Sequence, residues 1–133
     1  MELAFSFIEQ FSGPVFLIAL AFIVFDIITG YLQAIANKCV DSSVMRAGFW
    51  HKLALILALI LSAMIDSAIN FEPLIGQAIG VNAPVFEGAC IFVVAMEATS
   101  ILENIKRLNP DLADKKVFQM LGDQKKETED KED

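Results

Sequence analysis

The stretch VFLIALAFIVF, residues 15–25, is wholly apolar, runs directly into Asp26 and indicates a membrane helix. Pro14 suits the first turn of a helix, and Gly13 before it breaks regular structure. Extended to residue 36, a helix would be about 34 Å long, which is enough to cross a bilayer with some tilt. Its strong apolar residues offset one central acid on insertion scales. We therefore predict a transmembrane helix over residues 14–36 that carries Asp26 into the membrane.

Two further apolar stretches lie downstream. The run LALILALIL opens a predicted second span over residues 53–71, with Asp66 in its second half. The run FEGACIFVVAMEATSILENI predicts a third span over residues 86–105, with Glu97 inside it. Between them, residues 74–85 are apolar but are interrupted by two glycines and a proline, which favours a re-entrant or interfacial piece over a free span.

The composition supports a membrane protein and excludes several other classes. The chain has 133 residues, enough for one domain, and is 56% hydrophobic against about 45–50% in soluble domains. It has no basic stripe for nucleic acid. Its two cysteines, Cys39 and Cys90, are expected to be reduced, and no Cys/His pair has metal-ligand spacing. No nucleophile–base or phosphate-cradling arrangement is visible, so we expect no enzyme, catalytic residue, metal or cofactor.

The positive charges predict the orientation. Three of the ten Lys and Arg residues lie within residues 37–52, a predicted polar connector, and the other seven lie from residue 106 onward. The positive-inside rule then places the N-terminus outside and the C-terminus inside. A fourth span at residues 74–85 would place the basic C-terminal part outside.

The chain therefore divides into a membrane domain and a cytoplasmic end. The membrane domain covers residues 1–108. Asn109 and Pro110 open a predicted short amphipathic helix over residues 109–121. Residues 122–133 contain no apolar side chain and predict a disordered charged tail. The predicted fold class is an all-α integral membrane protein with three transmembrane helices.

Each predicted span carries a narrow polar or small face, because these residues recur three, four or seven positions apart. This predicted polar face comprises Asp26, Thr29, Gly30 and Gln33 in the first span, Ser62, Asp66 and Asn70 in the second, and Glu97, Ser100, Glu103 and Asn104 in the third. Ionisable groups inside a membrane mark functional sites by default. No span carries a Lys or Arg deep enough to pair with the acids, although Arg107 lies one turn after Glu103.

Two interpretations of the polar face stay open. The faces could be ordinary inter-helix contacts, since small residues let helices approach and polar ones bond across them. Alternatively, many copies could hide the faces against each other in one state and line water with them in another. Tyr31, Trp50 and Lys52 are predicted interface anchors, because aromatic and basic residues favour headgroup depth.

The chain resembles small phage holins of the toxin-secretion and phage-lysis type. The resemblance rests on D-I-I-T-G at residues 26–30, on Lys38, Ser42, Gly48, Lys52 and Asp66, and on E-A-T-S-I-L-E-N at residues 97–104 with Arg107 and Pro110. It covers about residues 26–110. Met96 stands where the family often has Asn, and Asn109 where it commonly has Gly, which affects the local geometry after the third span.

The resemblance implies a multi-pass protein of the bacterial cytoplasmic membrane that forms homo-oligomers. Such a protein opens lesions that release an endolysin, or in some relatives a toxin, without a cofactor. Its expected partners are the lipid bilayer, further copies and the exported protein, and nucleic acid is not among them. Two alternatives remain: a small ion channel or transporter subunit with an acidic path, since intramembrane carboxylates also mark such routes, and a membrane anchor for a cytoplasmic partner through residues 106–133.

Overall fold

The computed structural model describes residues 1–11, 13–80 and 84–112, whose regular structure is helical. The helices are α1 (Glu2–Gln10), α2 (Pro14–Ala36), α3 (Ser42–Phe71), α4 (Pro73–Ile79) and α5 (Val85–Leu108), followed by a 3-10 turn at Pro110–Leu112. Within the described ranges, α2, α3 and α5 are each long and apolar enough to cross a membrane. This confirms the prediction of a helical chain with three helices able to span a bilayer.

Helices α2 and α5 run parallel and pack against each other along their length. The Phe16 and Phe86 rings meet near the start of both helices, with centroids 5.8 Å apart. Asn104, near the end of α5, reaches the second half of α2 at Thr29. The two helices therefore enter and leave the bundle at the same ends, as the first and third of three consecutive spans would.

Helix α3 runs antiparallel to α5. Lys52, in the first half of α3, contacts Glu97 in the second half of α5, whereas Asp66 contacts the first residues of α5. The alternation of directions fits three successive crossings. Which end faces the cytoplasm stays a prediction from the charge distribution.

The apolar core lies between the Lys52–Glu97 contact and the contact of Asp66 with the start of α5. Its buried members are Ala19, Ile23, Leu59, Ala63, Phe86, Cys90 and Val93. Small residues in this set allow close helix approach, which drives association where lipid is as apolar as the side chains. Cys90 is fully buried here, while Cys39 is exposed, and both thiols are free.

Helix α3 begins earlier than the sequence predicts. The second span was expected to start at residue 53, after a polar connector over residues 37–52, but the helix begins at Ser42. The Asp41 carboxylate causes this start, because it accepts hydrogen bonds from the Ser43 backbone N–H (2.7 Å) and hydroxyl (2.6 Å). Residues 42–51 are all exposed, so these first turns extend without tight packing. Lys52 consequently lies inside the helix and not ahead of it.

The segment predicted to re-enter or lie on the membrane contains a short helix, α4. The Glu72 carboxylate caps it by accepting from the Leu74 N–H (3.2 Å), and Gly80, in the left-handed region at φ 71°, ends it. Entry of residues 74–85 into the membrane stays a prediction, and residues 81–83 lie outside the described residues. Of the predicted amphipathic helix over residues 109–121, only the 3-10 turn is described; residues 113–121 and the predicted tail over 122–133 lie outside the described part of the chain.

Candidate functional site

A buried ion network joins the three long helices. The Lys52 Nζ atom lies 2.8 Å from Asp26 Oδ2 and also contacts Glu97 Oε2. Only 7% of Asp26, 8% of Lys52 and 1% of Glu97 is exposed. The expectation that no Lys or Arg could pair with the acids inside the spans is therefore wrong. It failed because the helical part of α3 includes Lys52, which turns its ammonium inward.

The network lies halfway along two of the helices. Asp26 is twelve residues after Pro14 and ten before Ala36, so about 18 Å and 15 Å of helix flank it. Glu97 is twelve residues after Val85 and eleven before Leu108. A helix that crosses a bilayer symmetrically places such positions near the middle of the hydrocarbon, where an isolated charge costs about 2.5–3.5 kcal/mol.

Asn104 extends the network between α5 and α2. Its Nδ2 atom donates to Asp26 Oδ1 (3.1 Å) and to Thr29 Oγ1 (3.2 Å). The Thr29 hydroxyl in turn donates to the Asp26 carbonyl oxygen (3.1 Å) within α2. Gly30 lies beside the amide, and a Cβ atom there would make an ordinary contact with Asn104 Nδ2 at 3.5 Å. Asp26 is therefore bonded on one carboxylate oxygen by an ammonium and on the other by an amide.

The charge count of the network is unequal. Two carboxylates share one ammonium, so the three side chains sum to −1 when all are ionised. Removing one partner of a buried ion pair leaves an uncompensated charge and typically costs about 3–5 kcal/mol, whereas replacing the whole group with apolar residues is often neutral. The network should thus be sensitive to the loss of any one member, and less sensitive to the removal of all its charges together.

Asp66 is separate from this network and has a different partner. Its two carboxylate oxygens accept hydrogen bonds from the backbone N–H groups of Val85 (2.9 Å) and Phe86 (2.8 Å). Those groups belong to the first turn of α5, where N–H donors have no partner within the helix. Asp66 therefore caps α5 from the neighbouring helix. With Asn70, Glu9 and Glu87, it also lines a cavity of about 310 Å³ at this end of the bundle.

The other residues of the predicted polar face are dispersed. Ser62 is buried, and its hydroxyl donates to the Leu59 carbonyl oxygen (2.8 Å) of its own helix. Gln33 and Ser100 are half-buried, while Asn70 and Glu103 are exposed. The structure thus brings together Asp26, Thr29, Gly30, Glu97 and Asn104, with Lys52 added, while Ser62 and Asp66 bond elsewhere.

The three predicted interface anchors differ in their exposure. Tyr31 and Trp50 are exposed, and Trp50 packs edge-on against Phe49 with ring centroids 5.9 Å apart. Lys52 is buried, and its interfacial role stays a prediction about membrane depth. One signal in the sequence could have revealed its inward direction: Lys52 lies seven residues before Leu59 and fourteen before Asp66, which is the spacing of one helix face.

The comparisons with known proteins identify the family. A family model described as the bacteriophage holin family matches residues 4–122, a range that contains all three long helices. No curated protein and no solved structure matches the chain. The match confirms the resemblance to phage holins, and together with three helices able to span a bilayer it makes the chain a multi-pass protein of the cytoplasmic membrane. The chain belongs to the bacteriophage holin family, a non-enzymatic family of membrane pore formers.

Proposed function

We propose that this chain acts as a holin, whose copies assemble in the bacterial cytoplasmic membrane and open lesions that release an endolysin or a toxin. The observation that carries the proposal is the family match, which extends over the three long helices and not over one short motif. The buried ion network adds a physical basis, because its charged side chains lie inside the bundle in a copy that forms no lesion.

The network supports a closed state that one copy can adopt alone. Asp26, Lys52, Glu97 and Asn104 bond to one another inside the bundle. The outer surface of the helices is apolar and exposed, with members such as Leu17, Ile18, Ile28, Leu57, Leu61, Ile91 and Phe92. Such a surface suits lipid, so copies can accumulate in the membrane with the charges of this network hidden from it.

Opening would exchange these internal contacts for water. If the helices of several copies separate and reassociate around a lumen, the two carboxylates and the ammonium become hydrated rather than paired. The cost of breaking the network then opposes opening, and hydration of charged groups along the lumen offsets it. The stability of the network therefore sets how readily a given density of copies converts to lesions.

The test is inducible expression in bacteria with viability, membrane potential and leakage of a cytoplasmic protein followed together. The unaltered chain is expected to release protein abruptly after a delay. Leakage of ions alone would contradict the proposal and favour the channel alternative. Loss of all activity on deletion of residues 113–133 would favour the anchor alternative, since a holin lacking them should change mainly in timing.

A matched pair of variants connects the network to this activity. Asp26→Asn/Lys52→Met/Glu97→Gln removes every charge of the network, and Arg46→Met/Glu87→Gln removes two exposed charges from the same helices α3 and α5. The first is expected to change the onset or extent of protein release strongly, and the second only slightly. Equal release from both, at equal amounts in the membrane, would show that the network plays no part in opening.

A further inference from the structure

Helix α1 has apolar side chains both toward the bundle and away from it. Phe7 and Phe11 point to the bundle, where Phe11 packs edge-on against Phe16 and Phe86 with centroids 4.9 and 5.5 Å apart. Phe5 and Ile8 point away from the bundle and are 71% and 65% exposed, next to the exposed Glu9. A helix on a water-covered surface would have polar side chains at positions 5 and 8.

Helix α1 lies beside α3 and not beyond its end. Ala4 and Phe7 face Met64 and Ala68 across an open apolar groove of about 430 Å³. Met64 precedes the end of α3 at Phe71 by seven residues, or about 10 Å of helix. The groove adjoins an exposed apolar line on α3, formed by Leu57, Leu61 and Met64 at helical spacing. In a chain whose long helices cross the membrane, this line faces lipid, and α1 lies beside it.

The charged residues in and near α1 indicate which part of a lipid this helix contacts. The chain has no Lys or Arg before Lys38, whereas Glu2 and Glu9 lie in α1 itself. Attraction to anionic headgroups requires basic residues near the surface. The remaining contribution is burial of apolar area among acyl chains, which does not depend on salt.

We propose that α1 is embedded at the edge of the bilayer, at the Pro14 end of the bundle, with its Phe5 and Ile8 face in contact with lipid acyl chains. Phe7 and Phe11 fix it to the bundle. Helix α1 thereby holds the start of α2 close to the lipid beside α3. This inference rests on insertion of the long helices and is independent of lysis.

The test uses tryptophan fluorescence in vesicles of zwitterionic phospholipid that carry bromine on the acyl chains. Trp50 is the one tryptophan in the chain, so Trp50→Phe gives a silent background. Phe5→Trp is compared in this background with Phe7→Trp, on the opposite face of the same helix. We expect blue-shifted emission from position 5 and stronger quenching there than at position 7. Ile8→Trp provides a second outward position if the variant at position 5 fails to insert.

Three results would overturn the proposal. Emission from positions 5 and 8 at the wavelength found in water, without quenching, would place this face in solvent. Blue-shifted emission without quenching would mean that protein, such as a second copy, covers the face. Quenching that appears only with anionic lipid and disappears at high salt would assign the contact to headgroup charge. Unchanged quenching in high salt and with added anionic lipid supports contact with acyl chains.

Discussion

Two acidic sites in this bundle look alike in the sequence and differ in the structure. Asp26 and Glu97 lie halfway along their helices and share the ammonium of Lys52. Asp66 lies five residues before the end of α3 and binds two backbone N–H groups of α5. The first site balances charge with charge, and the second balances charge with the unpaired donors and positive dipole end of a helix. An acid in an apolar span is therefore not by itself evidence of a pore lining.

The largest effect should follow from Lys52→Met. The substitution leaves two buried carboxylates without a counter-ion, so the free energy of unfolding in detergent micelles should fall by about 3–5 kcal/mol. Arg46→Met removes an exposed cation from the same helix and serves as the control. Asp26→Asn/Lys52→Met/Glu97→Gln should recover much of the loss, because the ionic group is then removed as a unit. A triple variant as unstable as Lys52→Met would show that the charge balance is not what Lys52 provides.

A smaller and more local effect is expected from Asp66→Ala. It removes the acceptors of the Val85 and Phe86 N–H groups, and loss of a helix cap costs about 0.5–2 kcal/mol. Amide hydrogen exchange should accelerate in the first turn of α5, while Asn104 at the far end keeps its protection. Asn70→Ala, one turn further along α3 and exposed, is the control. Faster exchange throughout α5 would contradict a purely capping role and bring Asp66 closer to the central network in importance.

A still smaller effect separates the polar contacts of the network from its charges. Thr29→Val removes the hydroxyl that accepts from Asn104 and donates to the Asp26 carbonyl oxygen. Inter-helix hydrogen bonds in membranes average about 0.6 kcal/mol, with a maximum of about 1.7 kcal/mol, so unfolding in micelles should shift by that order. Thr99→Val is the matched control, because the exposed Thr99 hydroxyl bonds only to Ala95 O of its own turn (3.0 Å). Equal shifts for the two variants would assign no role to the contact between α2 and α5.

The apolar runs predicted three helices able to span a bilayer, because long uninterrupted hydrophobicity has few other stable solutions. The shared helix faces also made Asp26, Thr29, Glu97 and Asn104 candidates for contact between helices, and the structure brings Asn104 to Asp26 and Thr29. Their partner could not be found in the same way. Lys52 is 45 positions before Glu97, and its contact depends on the antiparallel register of α3 against α5. Spacing within one helix carries no information about that register.

The same limit applies to Asp66. Its distance of four residues from Ser62 and from Asn70 predicted a shared polar face, yet its carboxylate is used at a helix start nineteen positions away. Pro84, the residue before α5, offers no side-chain acceptor to the first turn, and the N–H groups of that turn bond to Asp66 instead. A sequence shows that a cap is missing, but only the packing shows which distant residue supplies it.

The smallest predicted effect concerns Asp41, the local counterpart of Asp66, because both carboxylates cap a helix but Asp41 is exposed. Hydrogen bonds from the Ser43 hydroxyl and backbone N–H hold the pKa of Asp41 below its usual value of 3.8. A folded-state pKa that is lowered stabilises the helix start above that usual value and loses this contribution as the pH falls through the lowered pKa. Amide exchange at residues 43–45, corrected for its intrinsic pH dependence, should thus show less protection below about pH 3.8 than at pH 6. Asp41→Asn, which can still cap but does not titrate, should keep its protection constant over that range. If the Asn variant lost protection with the same midpoint, another group would control the start of α3, and Asp41 would not share the capping role of Asp66.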